Sequence, residues 1–248
     1  MLRKTIWLVI RLVLFVSILT LGTVLAMSVG EQEGLARVNL AGIPVHIITS
    51  GSYDGKVLYA GAGGQGTTSS SLYKSVDGGQ SWQPLSIRPG LSVNALAVHP
   101  ANPEVIYVGT QGGSSLLEQY SLYRSTDGGR SWQRAPLSLP AGADGRIPSV
   151  LCLVTDPHDP RVLYVGTDGQ GAYRITDDGY TLVGLGHELQ GARVEHIVVA
   201  PEHSHRVYAV TDRGLYRSEN GGTSWTALKT PEQAVALAVA RKDSQVLY

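Results

Sequence analysis

The stretch SLYRSTDGGRSW (residues 121–132) has a close copy earlier in the chain, SLYKSVDGGQSW (residues 71–82). The paired glycines permit the positive φ angles that a tight hairpin turn needs. Asp127 can accept hydrogen bonds from the turn amides, and the hydroxyls of Ser125 and Ser131 are placed to join it. Trp132 then begins the next strand with a large apolar ring. Because every polar group finds a partner within the turn, the motif predicts a repeated structural unit rather than a catalytic one.

Four strand-like segments recur around each copy, with a period of roughly 40 to 57 residues that is typical of propeller blades. An apolar strand such as VNALAV is followed by a tyrosine-containing strand, by an LYRS-like strand and by the strand that starts at the tryptophan. Such units form antiparallel sheets that pack face to face. The sequence therefore predicts an all-β propeller in residues 44–248. The predicted blades are residues 44–88, 89–138, 147–186 and 192–230, with a partial blade at 233–248.

The pattern Ser-x-Asp-x-Gly-x-Ser-Trp resembles the Asp-box, or bacterial neuraminidase repeat, of sialidase and sortilin propellers. The residues that match fully are Ser75, Asp77, Gly79, Ser81, Trp82, Ser125, Asp127, Gly129, Ser131 and Trp132. The fourth copy has Asn220 for the aspartate and keeps Ser218, Gly222, Ser224 and Trp225. The third copy keeps Asp177, Gly179 and Thr181 but has Ile175 and Leu182. The resemblance covers residues 34–248 and implies a fold shared by sialidases, xyloglucanases, sortilin-type receptors and photosystem II assembly-factor propellers.

The N-terminal 30 residues have a different character from the blades. Arg3, Lys4 and Arg11 precede an uncharged apolar run at residues 12–27. This pattern is typical of a hydrophobic helix that serves as a signal peptide or a transmembrane anchor, and both alternatives remain open. Either one places the rest of the chain outside the cytoplasm, because the positive charge lies on the N-terminal side. Residues 31–43 are predicted to be a linker that includes a ring-closing strand.

The composition excludes several kinds of partner and site. Lysine plus arginine and aspartate plus glutamate number 20 each, so no charge excess favours nucleic acid. Cys152, the single cysteine, lies in the apolar run VLCLV and is interpreted as a buried hydrophobic residue. No cofactor, catalytic residue or metal ligand is predicted.

A ligand face is expected where the loops between second and third strands and the connections between blades lie. The long segments there are residues 61–71, 109–121 and 137–149, and loops longer than the repeat requires are usually functional. The candidate residues on this face are Glu118, Tyr120, Asp144, Arg146, Asp168 and Asp212. The predicted function is non-enzymatic: an extracytoplasmic scaffold, anchored or secreted, that binds a protein, a peptide or a glycan.

The sequence also contains residues that could form a hydrolytic site or a metal site. A glycoside hydrolase of the sialidase or xyloglucanase type would need two carboxyl groups in one cleft. Its candidates are Glu118, Asp144, Asp168, Glu188 and Asp212. Arg146, in the segment GRIP, follows two Asp-boxes rather than preceding the first one as in sialidases. A metal site would draw on Glu195, His196, Glu202, His203 and His205.

The strand count raises the last expectation. First and second strands occur five times, whereas third and fourth strands occur four times. Residues 34–42 read as an unpaired fourth strand ahead of the first blade. Propellers often close by completing a blade with strands from both termini. The sequence thus predicts a piece of a propeller with at least five blades, a gapped ring and an unpaired hairpin at residues 234–248.

Overall fold

The computed structural model describes residues 25–26, 36–37, 40, 45–52, 54–62, 72–87, 91–113, 121–134, 139–176, 181–203, 205–230 and 237–239. Four four-stranded antiparallel sheets make up most of this part of the chain, as predicted. In each sheet the strands are paired in sequence order, so every sheet is a meander joined by short connections. The four sheets are called blades 1 to 4 below.

The strands alternate with turns along the chain. Two short strands come first: β1 (Leu25–Ala26) and β2 (Ala36–Arg37). Blade 1 consists of β3 (Val45–Ser50), β4 (Leu58–Ala62), β5 (Leu72–Ser75) and β6 (Gln83–Leu85). Blade 2 consists of β7 (Val93–Val98), β8 (Ile106–Thr110), β9 (Leu122–Ser125) and β10 (Gln133–Arg134). Blade 3 consists of β11 (Val150–Thr155), β12 (Leu163–Thr167), β13 (Ala172–Thr176) and β14 (Thr181–Leu185). A 3-10 turn (His187–Leu189) precedes blade 4, which consists of β15 (Val194–Val199), β16 (Val207–Thr211), β17 (Gly214–Ser218) and β18 (Thr226–Leu228).

The first strands of consecutive blades contact one another, β3 with β7, β7 with β11 and β11 with β15. They therefore form the inner row of strands that the propeller prediction requires. The second strand of every blade is buried along its whole length. The tyrosine at its second position, for example Tyr59 or Tyr164, is among the most completely buried side chains. Valine, isoleucine and tyrosine suit this position because a strand between two others and two neighbouring blades has no face in water.

The strand register divides the turns between two faces. Ser50 pairs with Leu58 at one end of blade 1, and Leu58 pairs in turn with Ser75. That end carries the turns between first and second strands and between third and fourth strands, and we call it the box face. At the other end Val45 pairs with Ala62. That end, the loop face, carries the loops between second and third strands and the connections between blades.

The predicted N-terminal helix is not supported, and of residues 1–30 only 25–26 are among those described. Within the described residues, Leu25–Ala26 is a strand that pairs antiparallel with Ala36–Arg37, so its backbone bonds run between strands rather than along a helix. In the described part of the chain, no helix has the length and apolarity that a membrane span requires. Ala36–Arg37 belongs to the segment predicted to complete a blade, and it pairs with β1 instead. Most of the predicted hairpin at 234–248 lies outside the described residues and stays a prediction.

Candidate functional site

The turns between third and fourth strands on the box face are the first candidate, because they carry the repeated motif. We call residues 75–82, 125–132 and 218–225 the box turns of blades 1, 2 and 4. In blade 1 the Ser75 hydroxyl donates to Asp77 Oδ1 at 2.7 Å and accepts from the Gly79 N–H at 2.8 Å. The Ser81 N–H donates to Asp77 Oδ1 at 2.9 Å, and its hydroxyl donates to Oδ2 at 2.5 Å. Through Asp77, these bonds connect Ser75 at the end of β5 with Ser81, two residues before β6.

The same bonds recur in blade 2 between Ser125, Asp127, Gly129 and Ser131. The Ser131 hydroxyl, followed by the Ser131 N–H and the Ser125 hydroxyl, lowers the pKa of Asp127 from 3.8 to about 2. The corresponding donors in blade 1 lower the pKa of Asp77 to about 2. Both aspartates are therefore ionised acceptors within their own turns. Such groups have no proton to donate near neutral pH and act on the turn rather than on a substrate.

The tryptophan that ends each box turn packs against the part of the chain that precedes its own blade. Trp82 and Trp132 donate from Nε1 to the carbonyls of Gly79 and Gly129, each at 3.1 Å. Trp225 is 6% exposed, and its Nε1 has no hydrogen-bond partner among the described residues. Trp225 packs in one apolar cluster with Leu185, and Trp132 in another with Leu85, so each tryptophan meets the end of the previous blade's fourth strand. Trp82 shares a cluster with Leu40, the only described residue of the 38–44 segment.

Blade 3 departs from this scheme as its sequence predicts. Ile175 is buried in the position of the box serine, and Leu182 packs against the same apolar cluster in the position of the tryptophan. Asp177 and Gly179 lie outside the described residues, and Thr181 begins β14. Apolar contacts therefore replace the hydrogen-bonded serine and the indole in this blade.

On the loop face, two of the predicted candidates converge on an arginine that the sequence did not single out. Arg193 Nη1 lies 2.5 Å from Asp168 Oδ1, and Nε lies 3.0 Å from Glu195 Oε1. The Arg193 N–H also donates to Asp212 Oδ1 at 3.0 Å. Asp168 follows β12 of blade 3, whereas the other three residues belong to blade 4. We call Asp168, Arg193, Glu195 and Asp212 the Arg193 cluster.

A β-bulge explains how Glu195 comes to lie beside Arg193. The pairing of β15 with β16 shifts between Val194 and His196, so Glu195 is the extra residue of the bulge. Bulges redirect side chains relative to a regular strand. The first strands of the other three blades have the same shift, at His46, Asn94 and Leu151, each after a valine. The residue types at the bulge differ between blades, whereas the preceding valine is kept.

The charges of the Arg193 cluster are arranged around one fixed cation. The hydrogen bond to Glu195, followed by the one to Asp168, raises the pKa of Arg193, so it remains protonated. The side chains of Arg193, Asp168 and Glu195 are 44%, 46% and 40% exposed. Carboxylates held on two edges of a guanidinium fix its plane. The cluster is a preoriented surface of donors and acceptors.

The connection between blades 2 and 3 borders this cluster. Its tip is a tight turn in which the Arg146 N–H donates to Asp144 Oδ1 at 3.0 Å, and both side chains are exposed. The Ile147 N–H donates to the Gly113 carbonyl at 3.0 Å, which ties the connection to blade 2. A Cβ built on Gly142 would lie 2.9 Å from Asp144 Oδ1 and 2.4 Å from Gln170 Nε2. Gln170 and Asp168 belong to the same short turn, so the tip of the connection lies close to that turn.

The remaining predicted candidates are placed elsewhere or not described. Glu118 and Tyr120 lie outside the described residues. The hydrolase candidate Glu188 has a pKa below its usual value, because its own N–H and that of Trp225 stabilise the ionised form. A general acid needs the opposite shift.

A metal site is not found within the part of the chain that the structure describes. Glu195 is at the loop-face end of β15, whereas His203 and His205 are in the turn between β15 and β16, at the box face. Burial raises the pKa of the Cys152 thiol to about 12. Its sulfur lies 3.8 Å from the Val194 carbonyl, which agrees with the apolar role predicted for it.

No protein-family model and no curated protein sequence matches the chain. Similar solved structures exist, among them an ancestral GH74 enzyme with a TM-score of 0.64 at 21% identity, over 82% of this chain and 27% of that one. YCF48 from Cyanidioschyzon merolae gives 0.53 at 18% identity, over 81% and 61%. An auxiliary nutrient binding protein from Bacteroides thetaiotaomicron gives 0.54 at 13% identity, over 81% and 46%.

The fold is a β-propeller. The four meander sheets, the inner row of first strands and these similarities agree with the resemblance that the repeated turns indicate. The chain spans between 27% and 61% of the length of these three structures. At such identities the similarity concerns the fold, which both enzymes and binding proteins share.

Proposed function

We propose that this protein is a non-enzymatic propeller scaffold whose loop face binds a protein, peptide or glycan ligand. The observation that carries the proposal is the Arg193 cluster, which brings Asp168 of blade 3 and Asp212 of blade 4 to one arginine. Exposed, preoriented polar groups on the face with the long loops are typical of a recognition surface. One similar structure is an auxiliary nutrient binding protein, which supports a binding role.

The same geometry argues against a hydrolytic pair within the described residues. Asp168 and Glu195 both face Arg193, which occupies the position between them that a glycosidic bond would need. Asp212 accepts from the Arg193 backbone. These three carboxylates therefore orient one arginine.

A glycoside hydrolase remains the second candidate, because an ancestral GH74 enzyme gives a TM-score of 0.64. The two functions differ in a direct assay. Incubation of the protein with xyloglucan and with a sialylated oligosaccharide should release no reducing sugar or sialic acid. Turnover of either substrate would refute the scaffold proposal and favour the second candidate.

The binding proposal is tested by screening the full chain on a glycan array and a peptide array. The best array ligand is then titrated against Arg193→Ala, Asp168→Ala and the control Asp127→Ala. We expect the first two variants to lose at least about tenfold in affinity, as for a hydrogen-bonded charge at an interface. Asp127→Ala should lower the melting temperature and keep the affinity, because Asp127 is bonded only within its box turn.

Two results would contradict the proposal. One is full affinity in both loop-face variants. The other is a loss of affinity in Asp127→Ala at an unchanged melting temperature.

We also propose an extracytoplasmic location, supported by the positive residues Arg3, Lys4 and Arg11 ahead of the apolar run. Protease added to intact spheroplasts should digest the propeller. Complete protection until lysis would contradict this location, and N-terminal sequencing of the mature protein would show whether residues 1–30 are removed.

A further inference from the structure

The box turn of blade 4 differs from those of blades 1 and 2 by one functional group. Asn220 takes the place of Asp77 and Asp127, and the surrounding bonds are nearly the same. Its Oδ1 accepts from the Ser218 hydroxyl and from the Ser224 N–H, both at 2.9 Å. Only the last bond is reversed: Asn220 Nδ2 donates to Ser224 Oγ at 2.9 Å, where the serine hydroxyl donates to the aspartate in the other blades. The turn is therefore already shaped for an aspartate.

Asn220 is followed by Gly221, and it is the one asparagine of the chain that precedes a glycine. Glycine has no Cβ to shield its nitrogen, so an asparagine–glycine pair is chemically prone to cyclise. Gly221 N attacks Cγ of Asn220, the Cγ–Nδ2 bond breaks, and ammonia leaves with the proton of the attacking nitrogen. Water then opens the succinimide at one of two bonds: breaking Cγ–N gives aspartate, and breaking the bond between the Asn220 carbonyl carbon and that nitrogen gives isoaspartate. In both cases the net reaction converts an amide and water into a carboxylate and ammonium.

The folded box turn opposes the first of these steps. The Gly221 N–H donates to the His205 carbonyl at 2.7 Å, so the attacking nitrogen is engaged in the hairpin. The Asn220 amide is held by three further bonds and must rotate before Cγ can reach that nitrogen. The Asn220 side chain is exposed, so water can reach the succinimide and hydrolyse it once the ring has formed. Local opening of a turn is more frequent than global unfolding.

The aspartate product fits the turn better than asparagine does. A carboxylate at position 220 could accept from the Ser218 hydroxyl, the Ser224 N–H and the Ser224 hydroxyl, as Asp77 does from its own partners. Charge-assisted hydrogen bonds are roughly twice as strong as neutral ones. The nearby Arg174 of blade 3, whose Nη1 lies 3.5 Å from the Gly221 carbonyl, adds a favourable charge. The neighbouring Glu219 is already paired with Arg206 and Arg217.

We propose that Asn220 is a deamidation site, that opening of the blade 4 box turn controls its rate, and that the molecules whose succinimide reopens at Cγ acquire the aspartate form of this turn found in blades 1 and 2. The conversion runs in one direction, because ammonia is lost. It makes blade 4 harder to open than before.

The rate is measured on the full chain at mildly alkaline pH by proteolysis and mass spectrometry of the peptide that contains residue 220, with Asn94 and Asn102 as internal references. Deamidation should be fast in denaturant and much slower in the native protein. Ser224→Ala removes the partner of Nδ2 and should accelerate the native reaction roughly fivefold, the factor of one ordinary hydrogen bond. Ser131→Ala makes the same change in blade 2 and should leave the rate at position 220 unaltered.

The stability of the product is measured on Asn220→Asp. Its melting temperature should exceed that of the unmodified protein near neutral pH, and the difference should vanish in acid as the new carboxylate is protonated. Equal rates in native and denatured protein would overturn the proposal, as would equal acceleration by Ser131→Ala. A melting temperature for Asn220→Asp at or below that of the unmodified protein would overturn the claim that the product is the tighter form.

Discussion

The box face and the loop face of this propeller are built from the same four meanders, yet they differ in how their polar groups are satisfied. In the box turns of blades 1 and 2, corresponding hydrogen bonds agree within 0.1 Å, with serine-to-aspartate distances of 2.7 and 2.8 Å. On the loop face, the bulge residues are a histidine, an asparagine, a leucine and a glutamate. Asp168 reaches across from blade 3 to an arginine of blade 4.

This difference separates residues that maintain a blade from residues that are free to recognise a ligand. A box turn needs only partners within eight residues, so each copy can be selected for stability alone. A loop-face cluster needs residues from two blades, so its composition is not constrained by the repeat. Stability should therefore respond to changes on the box face and ligand affinity to changes on the loop face.

The largest expected effect concerns Trp225 on the box face. Trp225→Ala removes a ring that is 6% exposed and packs with Leu185, so we expect a loss of about 3 to 5 kcal/mol in the free energy of unfolding. Trp132→Ala should cost less, because that ring is only partly buried. Denaturant titration of both variants measures the difference. The reverse order would show that the hydrogen bond of Trp132 to Gly129 matters more than burial.

An intermediate effect is expected from acid. The pKa values of Asp77 and Asp127 are lowered from 3.8 to about 2 in the folded protein. A depressed folded pKa stabilises the protein above the unfolded value, and this contribution is lost as the pH falls from 3.8 towards 2. The melting temperature should therefore drop across this range, and the drop should be smaller in the double variant Asp77→Asn, Asp127→Asn. Identical acid profiles for the two proteins would show that other carboxyl groups control the transition.

The smallest stability effect is expected from Arg193→Ala on the loop face. Arg193 forms exposed ion pairs, and these contribute less than about 1 kcal/mol each. The melting temperature should change little, although ligand affinity is expected to fall. Thermal unfolding at low and at high salt checks this, because screening should remove most of the small difference between the variant and the unmodified protein. A large loss of stability would mean that the cluster holds blades 3 and 4 together.

The fold could be predicted because its signals are local and repeated. Paired glycines, a serine, an aspartate and a tryptophan at fixed spacing determine one turn, and the same turn at each repeat indicates the blades. The predicted N-terminal helix is not supported: its apolar run at residues 12–27 lies outside the described residues except for Leu25–Ala26, which pairs with a later strand.

The candidate site was only partly predictable. Loop position was sufficient to select Asp168 and Asp212, but not Arg193, which joins them. Glu195 is a metal-site candidate in the sequence because histidines are near it, whereas β15 separates it from His203 and His205, which lie at the box face. The repeated valine before each bulge was a usable signal, although a register shift is recognised only when the partner strand is known.

The sequence by itself determined the blade type, the order of the strands and the internal bonding of the box turns, because these depend on residues within a few positions of one another. Only the tertiary structure decided that Asp168, Arg193, Glu195 and Asp212 form one cluster. That contact depends on how two twisted sheets pack side by side and on a bulge that redirects one side chain. Neither the packing of the sheets nor the effect of the bulge can be read from the spacing of residues along the chain.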